Sequence, residues 1–120
     1  MVSHQDEVMV IEDERESRTY LVKLLQLEGF KVAAFSNGAE ALNYLAQTAP
    51  PCLIIFDIRM PVMDGTQFRS AMLRDPRLAD IPVVVVTAFE PPAAANLGAL
   101  RVFRKPLDVD ALLNTLRENC

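Results

Sequence analysis

Five short apolar runs punctuate this chain: Val8 to Ile11, Lys31 to Phe35, Cys52 to Phe56, Ile81 to Val86 and Leu100 to Phe103. Most are continuous rather than alternating, which is the pattern of strands buried on both faces. Val83-Val84-Val85-Val86 is the clearest, because β-branched side chains suit a pleated backbone. Between the runs the apolar period lengthens to that of a helix. Leu21, Leu24 and Leu25 lie on one helical face, and Glu28-Gly29 supplies a stop. Ala41, Leu42 and Leu45 predict a second helix. Phe68, Ala71 and Met72 predict a third, with Asp64 placed to cap it. Val109, Leu112, Leu113 and Leu116 fit the i, i+3, i+4, i+7 spacing of a last helix capped by Asp108. Strands alternating with helices imply a parallel sheet covered on both faces. Right-handed crossovers leave few topologies. The best fit is an α/β, flavodoxin-like, doubly wound (βα)5 sheet of five strands in the order 2-1-3-4-5.

Open parallel sheets bind ligands at the carboxyl ends of their strands. Glu12 and Asp13 follow the first run, Asp57 follows the third, Thr87 ends the fourth and Lys105-Pro106 follows the fifth. The proposed strand order brings these groups to one edge. Three carboxylates packed together repel, and a cation relieves that. The donors are hard oxygens and no histidine is nearby, His4 being the chain's only one, so the set favours Mg²⁺ over zinc. Thr87 adds a hydroxyl and Lys105 a point cation, both suited to phosphoryl oxygens. Each residue alone has an ordinary reading: a helix cap, a strand-forming threonine, a solvated lysine. Asp57 is harder to dismiss, since it closes an apolar run where an unpaired charge is costly. Together they describe a site for phosphoryl transfer.

The whole chain sets the frame for that chemistry. At 120 residues, 51% hydrophobic and 23% charged, it has the size and composition of one globular domain, residues 1–120. No apolar run approaches the roughly 20 residues that span a bilayer. The N-terminus carries no secretion signal, so a cytoplasmic location is expected. A net charge of −4 disfavours direct contact with nucleic acid or an anionic membrane. Two cysteines make no framework: Cys52 is expected to be a buried small hydrophobe and Cys120 an exposed thiol.

The chain resembles the receiver domain of bacterial two-component response regulators. The resemblance rests on Val10-Ile11-Glu12-Asp13-Glu14, Ile55-Phe56-Asp57-Ile58-Arg59-Met60-Pro61-Val62-Met63-Asp64-Gly65, Val85-Val86-Thr87-Ala88 and Arg104-Lys105-Pro106. It implies that Asp57 accepts a phosphoryl group from a phosphohistidine on a sensor histidine kinase or a histidine phosphotransfer protein. It implies that Asp13, Asp57 and the backbone carbonyl of Arg59 hold Mg²⁺, with Glu12 acting through a metal-bound water. Thr87 and Lys105 would contact the phosphoryl oxygens, the Lys105-Pro106 bond would be cis, and Gly65 would permit the turn into the third helix. Such a domain catalyses only its own phosphorylation and dephosphorylation. Its output passes to a downstream protein or to an output domain elsewhere in a longer chain.

Three departures from the family pattern stand out. Val102 occupies the place, three residues before Lys105, where the family usually has Tyr or Phe, and Phe103 should point to the opposite face. Thr87 to Gly98 is about four residues shorter than usual, roughly one helical turn. With Pro91-Pro92 also present, the helix between the fourth and fifth strands is expected to be a stub, and dimerisation through that face is not expected. Arg59 and Phe89 flank the acceptor and are expected to slow hydrolysis of the phosphoryl group beyond minutes. The alternative reading is a pseudo-receiver, an interaction module that keeps the fold without control by phosphorylation.

Overall fold

Five parallel strands lie in the order β2-β1-β3-β4-β5. They are β1 (Glu7–Ile11), β2 (Lys31–Phe35), β3 (Leu53–Phe56), β4 (Val83–Thr87) and β5 (Arg101–Arg104). Four helices are described: α1 (Arg15–Leu27), α2 (Gly38–Leu45), α3 (Gly65–Arg74) and α4 (Val109–Asn119). This is the flavodoxin-like arrangement expected from the alternation of runs. The structure, a computed structural model, describes residues 7–88 and 97–120. The expected stub helix and Phe89 lie outside the described residues.

The period of two along the strands divides the core into two layers. Met9, Ile11, Ile54, Phe56, Val83 and Val85 face Ala41 and Leu45 of α2 and Phe68 and Met72 of α3. Their neighbours Val8, Val10, Leu53, Ile55, Val84 and Val86 face Leu21 and Leu25 of α1 and Leu112, Leu113 and Leu116 of α4. The central strands β1, β3 and β4 are therefore apolar along nearly their whole length, whereas the edge strands β2 and β5 carry exposed residues. Val102 packs with the α2–α3 layer and Phe103 is buried in the other, so the two side chains take opposite faces as expected.

The helix ends follow the chemistry of their caps. Asp64 accepts from the Gln67 N–H at 2.8 Å, and the Gln67 side chain accepts from the Asp64 N–H at 3.0 Å, a closed capping box at the start of α3. Asp108 accepts from the Ala111 N–H at 3.1 Å at the start of α4. Gly29, at φ +93°, ends α1 in the left-handed region. Strand β4 begins at Val83 rather than Ile81, because Pro82 has no N–H to donate; its carbonyl still accepts from the Ile54 N–H at 3.0 Å.

The cysteines overturn their expectation. Cys52 and Cys120 form a disulfide, with Cα atoms 5.5 Å apart across a sequence separation of 68. Cys52 is only half-buried and precedes β3, and Cys120 follows α4 at the surface. The doubly wound topology lays α4 across the sheet so that its carboxyl end meets the beginning of β3. Spacing along the chain could not show that approach.

Candidate functional site

All the sequence-predicted groups stand at the carboxyl edge of the sheet. Glu12 and Asp13 follow β1, Asp57 follows β3, Thr87 ends β4 and Lys105 follows β5. The Asp57 N–H donates to the Ile11 carbonyl and the Lys105 N–H to the Thr87 carbonyl, at 3.2 and 2.8 Å, so the sheet ladder carries both residues to their places. The Lys105–Pro106 peptide is cis.

Lys105 is the centre of the site. Its Nζ donates to Glu12 Oε1 at 3.0 Å and to Asp57 Oδ2 at 3.1 Å. Both carboxylates are buried, with Glu12 4% and Asp57 8% exposed, so two charges that would repel in a dry setting share one cation. Burial raises the pKa of Glu12 above the ordinary carboxylate range, and its bonds to the Glu14 N–H and to Lys105 only partly offset that. Burial alone would lower the pKa of Lys105, but its bonds to Glu12 and Asp57 prevail and raise it. The second oxygen of Asp57, Oδ1, accepts from the Arg59 N–H at 3.1 Å. The carboxylate is thus held from both sides.

Asp13 stands apart from this triad. It is exposed and lines an open cleft with Ile58, Arg59, Met60, Pro61 and Asp64. Among the described residues no three acidic, histidine or cysteine side chains are arranged to hold a metal as they stand. The donor set still suits Mg²⁺, which takes one or two carboxylates and keeps several waters. Asp13 lines the cleft together with Ile58 and Arg59, the two residues that follow Asp57 in the chain, and every candidate donor is an oxygen. Thr87 is fully buried at the end of β4.

Gly65 is needed for close approach rather than for an unusual backbone angle. A Cβ there would lie 2.7 Å from the Asp57 carbonyl oxygen and 2.7 Å from the Ile58 Cα. The start of α3 is therefore pressed against the loop that carries Asp57, and the Gly65 N–H donates to the Ile58 carbonyl at 2.7 Å.

Two arginines escaped sequence reasoning. Arg18 Nη1 donates to the backbone carbonyls of Glu12 at 2.9 Å and Asp13 at 3.3 Å, bracing the loop that carries both acids. The signal was available: Arg18 lies one helical turn beyond Glu14, where a side chain reaches back to the helix start. Arg69 is 7% exposed on α3, and its Nε donates to the Leu97 carbonyl at 2.7 Å. Its position between Phe68 and Met72, four residues after Gly65, puts it on the buried face by helical period.

A family model described as the response regulator receiver domain matches residues 8–117. The chain is 34% identical over 117 residues to the response regulator receiver protein CpdR of Brucella abortus (strain 2308), covering 92% of this chain and 93% of CpdR. It is 36% identical over 115 residues to the C4-dicarboxylate transport transcriptional regulatory protein DctD of Rhizobium meliloti (strain 1021), covering 92% of this chain. It spans only 24% of DctD, about a quarter of that relative. Among solved structures, a response regulator receiver protein from Pseudomonas putida matches with a TM-score of 0.88 at 25% identity, covering 98% of this chain and 99% of that one.

Proposed function

This chain belongs to the response regulator receiver family and is a phosphoacceptor in two-component signalling; on that premise we propose that Asp57 is the residue it loads. The observation that carries the assignment is the double hold on its carboxylate, by Lys105 Nζ and by the Arg59 N–H, at a buried strand end.

In this reading residues 1–120 act as one receiver domain in the cytoplasm. The donor is a phosphohistidine of a sensor histidine kinase or histidine phosphotransfer protein. An Asp57 carboxylate oxygen attacks phosphorus, the P–N bond breaks, and the imidazole leaves with the electron pair. Lys105 holds Asp57 and the neighbouring acid Glu12 before transfer and offers its ammonium to the phosphoryl oxygens during it. The Thr87 hydroxyl, on the adjacent strand, takes another phosphoryl oxygen. Arg18 keeps the Glu12–Asp13 backbone in register. Asp13, Asp57 and the Arg59 carbonyl would hold Mg²⁺, with Glu12 reaching it through water; the ion would supply positive charge against the phosphoryl oxygens. The domain catalyses only its own loading and unloading, and turns over no external substrate.

A groove beside Glu12 and Lys105, lined by Tyr20, Leu21, Val86, Pro106 and Leu107, offers the donor protein an apolar footing next to the acceptor. The signal leaves through a downstream protein or an output domain. Retention of the acids, Thr87 and Lys105 at one edge of the sheet disfavours a pseudo-receiver. Incubation with acetyl phosphate and Mg²⁺, followed by intact mass, should add one phosphoryl group, and Asp57→Ala should abolish it. Equal loading of the variant would move the acceptor elsewhere.

A further inference from the structure

The Cys52–Cys120 disulfide lies at the rim of the sheet opposite Asp57, where β3 begins rather than where it ends. Its two ends sit in different surroundings. Cys52 is half-buried against the apolar layer between the sheet and α1 and α4, and its N–H donates to the Glu7 carbonyl at 2.8 Å. Cys120 is exposed, one residue beyond α4, and its N–H donates to the Leu116 carbonyl at 2.8 Å. One end is anchored in the sheet and the other is open to solvent. The Cα separation of 5.5 Å falls within the range that disulfides ordinarily bridge, so the bond can open and close without moving the backbone.

Other contacts hold α4 whether or not the bond is made. Leu112, Leu113 and Leu116 are buried in the core, and Arg117 pairs with Glu28 at the end of α1. Loss of the bond would free Cys120 at the carboxyl end of α4 and leave the fold and the sheet's opposite rim in place. Disulfides in cytosolic proteins are usually transient rather than permanent. An exposed sulfur is also the one an attacking thiolate reaches.

We propose that Cys52 and Cys120 form a reversible thiol–disulfide site, opened by a dithiol, that fastens and releases the carboxyl end of α4; the proposal rests on the cytoplasmic setting given above. One thiolate of the dithiol attacks the Cys120 sulfur, breaking the S–S bond and expelling Cys52 sulfur, which takes up a proton in its apolar surroundings. The second thiol of the dithiol then attacks the mixed disulfide and releases Cys120. Two electrons and two protons pass from the dithiol, which leaves as its own disulfide, and two protein thiols remain. Closure reverses these steps with an oxidised dithiol.

The test uses the full chain and dithiothreitol, reduced or oxidised, with thiols counted by alkylation and intact mass. The folded protein should show no free thiols when oxidised and two after reduced dithiothreitol, and should return to none in the oxidised form. Its thermal midpoint should be higher when oxidised by on the order of 10 °C, as expected for a loop of this length. Cys120→Ser, a change at an exposed position, should remove that difference. Thiols that stay free under oxidised dithiothreitol would overturn the proposal, as would a bond that resists reduction in the folded protein. Acetyl phosphate loading is read separately on the same samples. Equal loading of both forms supports a tie remote from the acceptor, and loading that changes with the bond overturns that separation. Absence of loading in both forms would count against the Asp57 assignment alone, because the thiol count is independent of it.

Discussion

A half-buried cation and a buried one show what their neighbours make of a charge. Lys105, with its side chain 32% exposed, bonds two carboxylates and is held charged more firmly than in water. Arg69, 7% exposed, has one carbonyl at 2.7 Å and the Met72 sulfur at 4.0 Å, with no acid among its described partners. Burial lowers its pKa. Burial works against both charges, and the carboxylates beside Lys105 reverse the outcome. At the strand-end rim two carboxylates keep one ammonium charged, and the excess negative charge is left for a further cation to offset. The α3 flank carries a charge whose job is to tie α3 to Leu97.

The contrast can be broken most directly at Lys105. Lys105→Met should slow loading of Asp57 by acetyl phosphate on the order of 100-fold, as expected when one pre-placed charge stabiliser is removed. Time-resolved intact mass measures it, and a change under threefold would deny Lys105 its part. Arg69→Met tests the other side. Replacing a buried, acid-free charge with an apolar chain of similar length should leave stability unchanged or raise it by about 1 kcal/mol, with loading unchanged. A urea midpoint showing a loss beyond about 2 kcal/mol would mean that the Leu97 bond outweighs the desolvation of the charge. Arg18 decides whether a cation bonded only to carbonyls can belong to the acceptor side. Arg18→Ala should slow loading by about threefold, since it removes bonds of a charged donor to the Glu12–Asp13 backbone, worth of order 1 kcal/mol. An unchanged rate would place Arg18 with Arg69, as a structural tie.

Much of this was legible before the fold was known. The alternation of β-branched runs with helical periods predicts the layers, because these depend on local side-chain spacing, and right-handed crossovers narrow the strand order. Asp64, Asp108 and Gly29 act where they were expected to, since a cap is satisfied within one turn. The gathering of Glu12, Asp57, Thr87 and Lys105 was also legible, because a parallel sheet must present the residues after each strand at one edge. The capping glycine and the acceptor-loop glycine differ in this respect. Gly29 is explained by its own φ, whereas Gly65 is explained by the Asp57 carbonyl and the Ile58 Cα, which reach it through the fold.

The sequence by itself determined the elements and which five side chains share the carboxyl edge, because periodicity and strand ends are local properties, and crossover handedness narrowed the strand order. Only the tertiary structure decided that Lys105 spans Glu12 and Asp57, that Arg69 is buried against the Leu97 carbonyl, and that Cys52 meets Cys120. Each depends on a distance between segments far apart in the chain: 93 residues for Lys105 and Glu12, 68 for the cysteines. Such distances are set by how helices cross the sheet, and no window of sequence contains them.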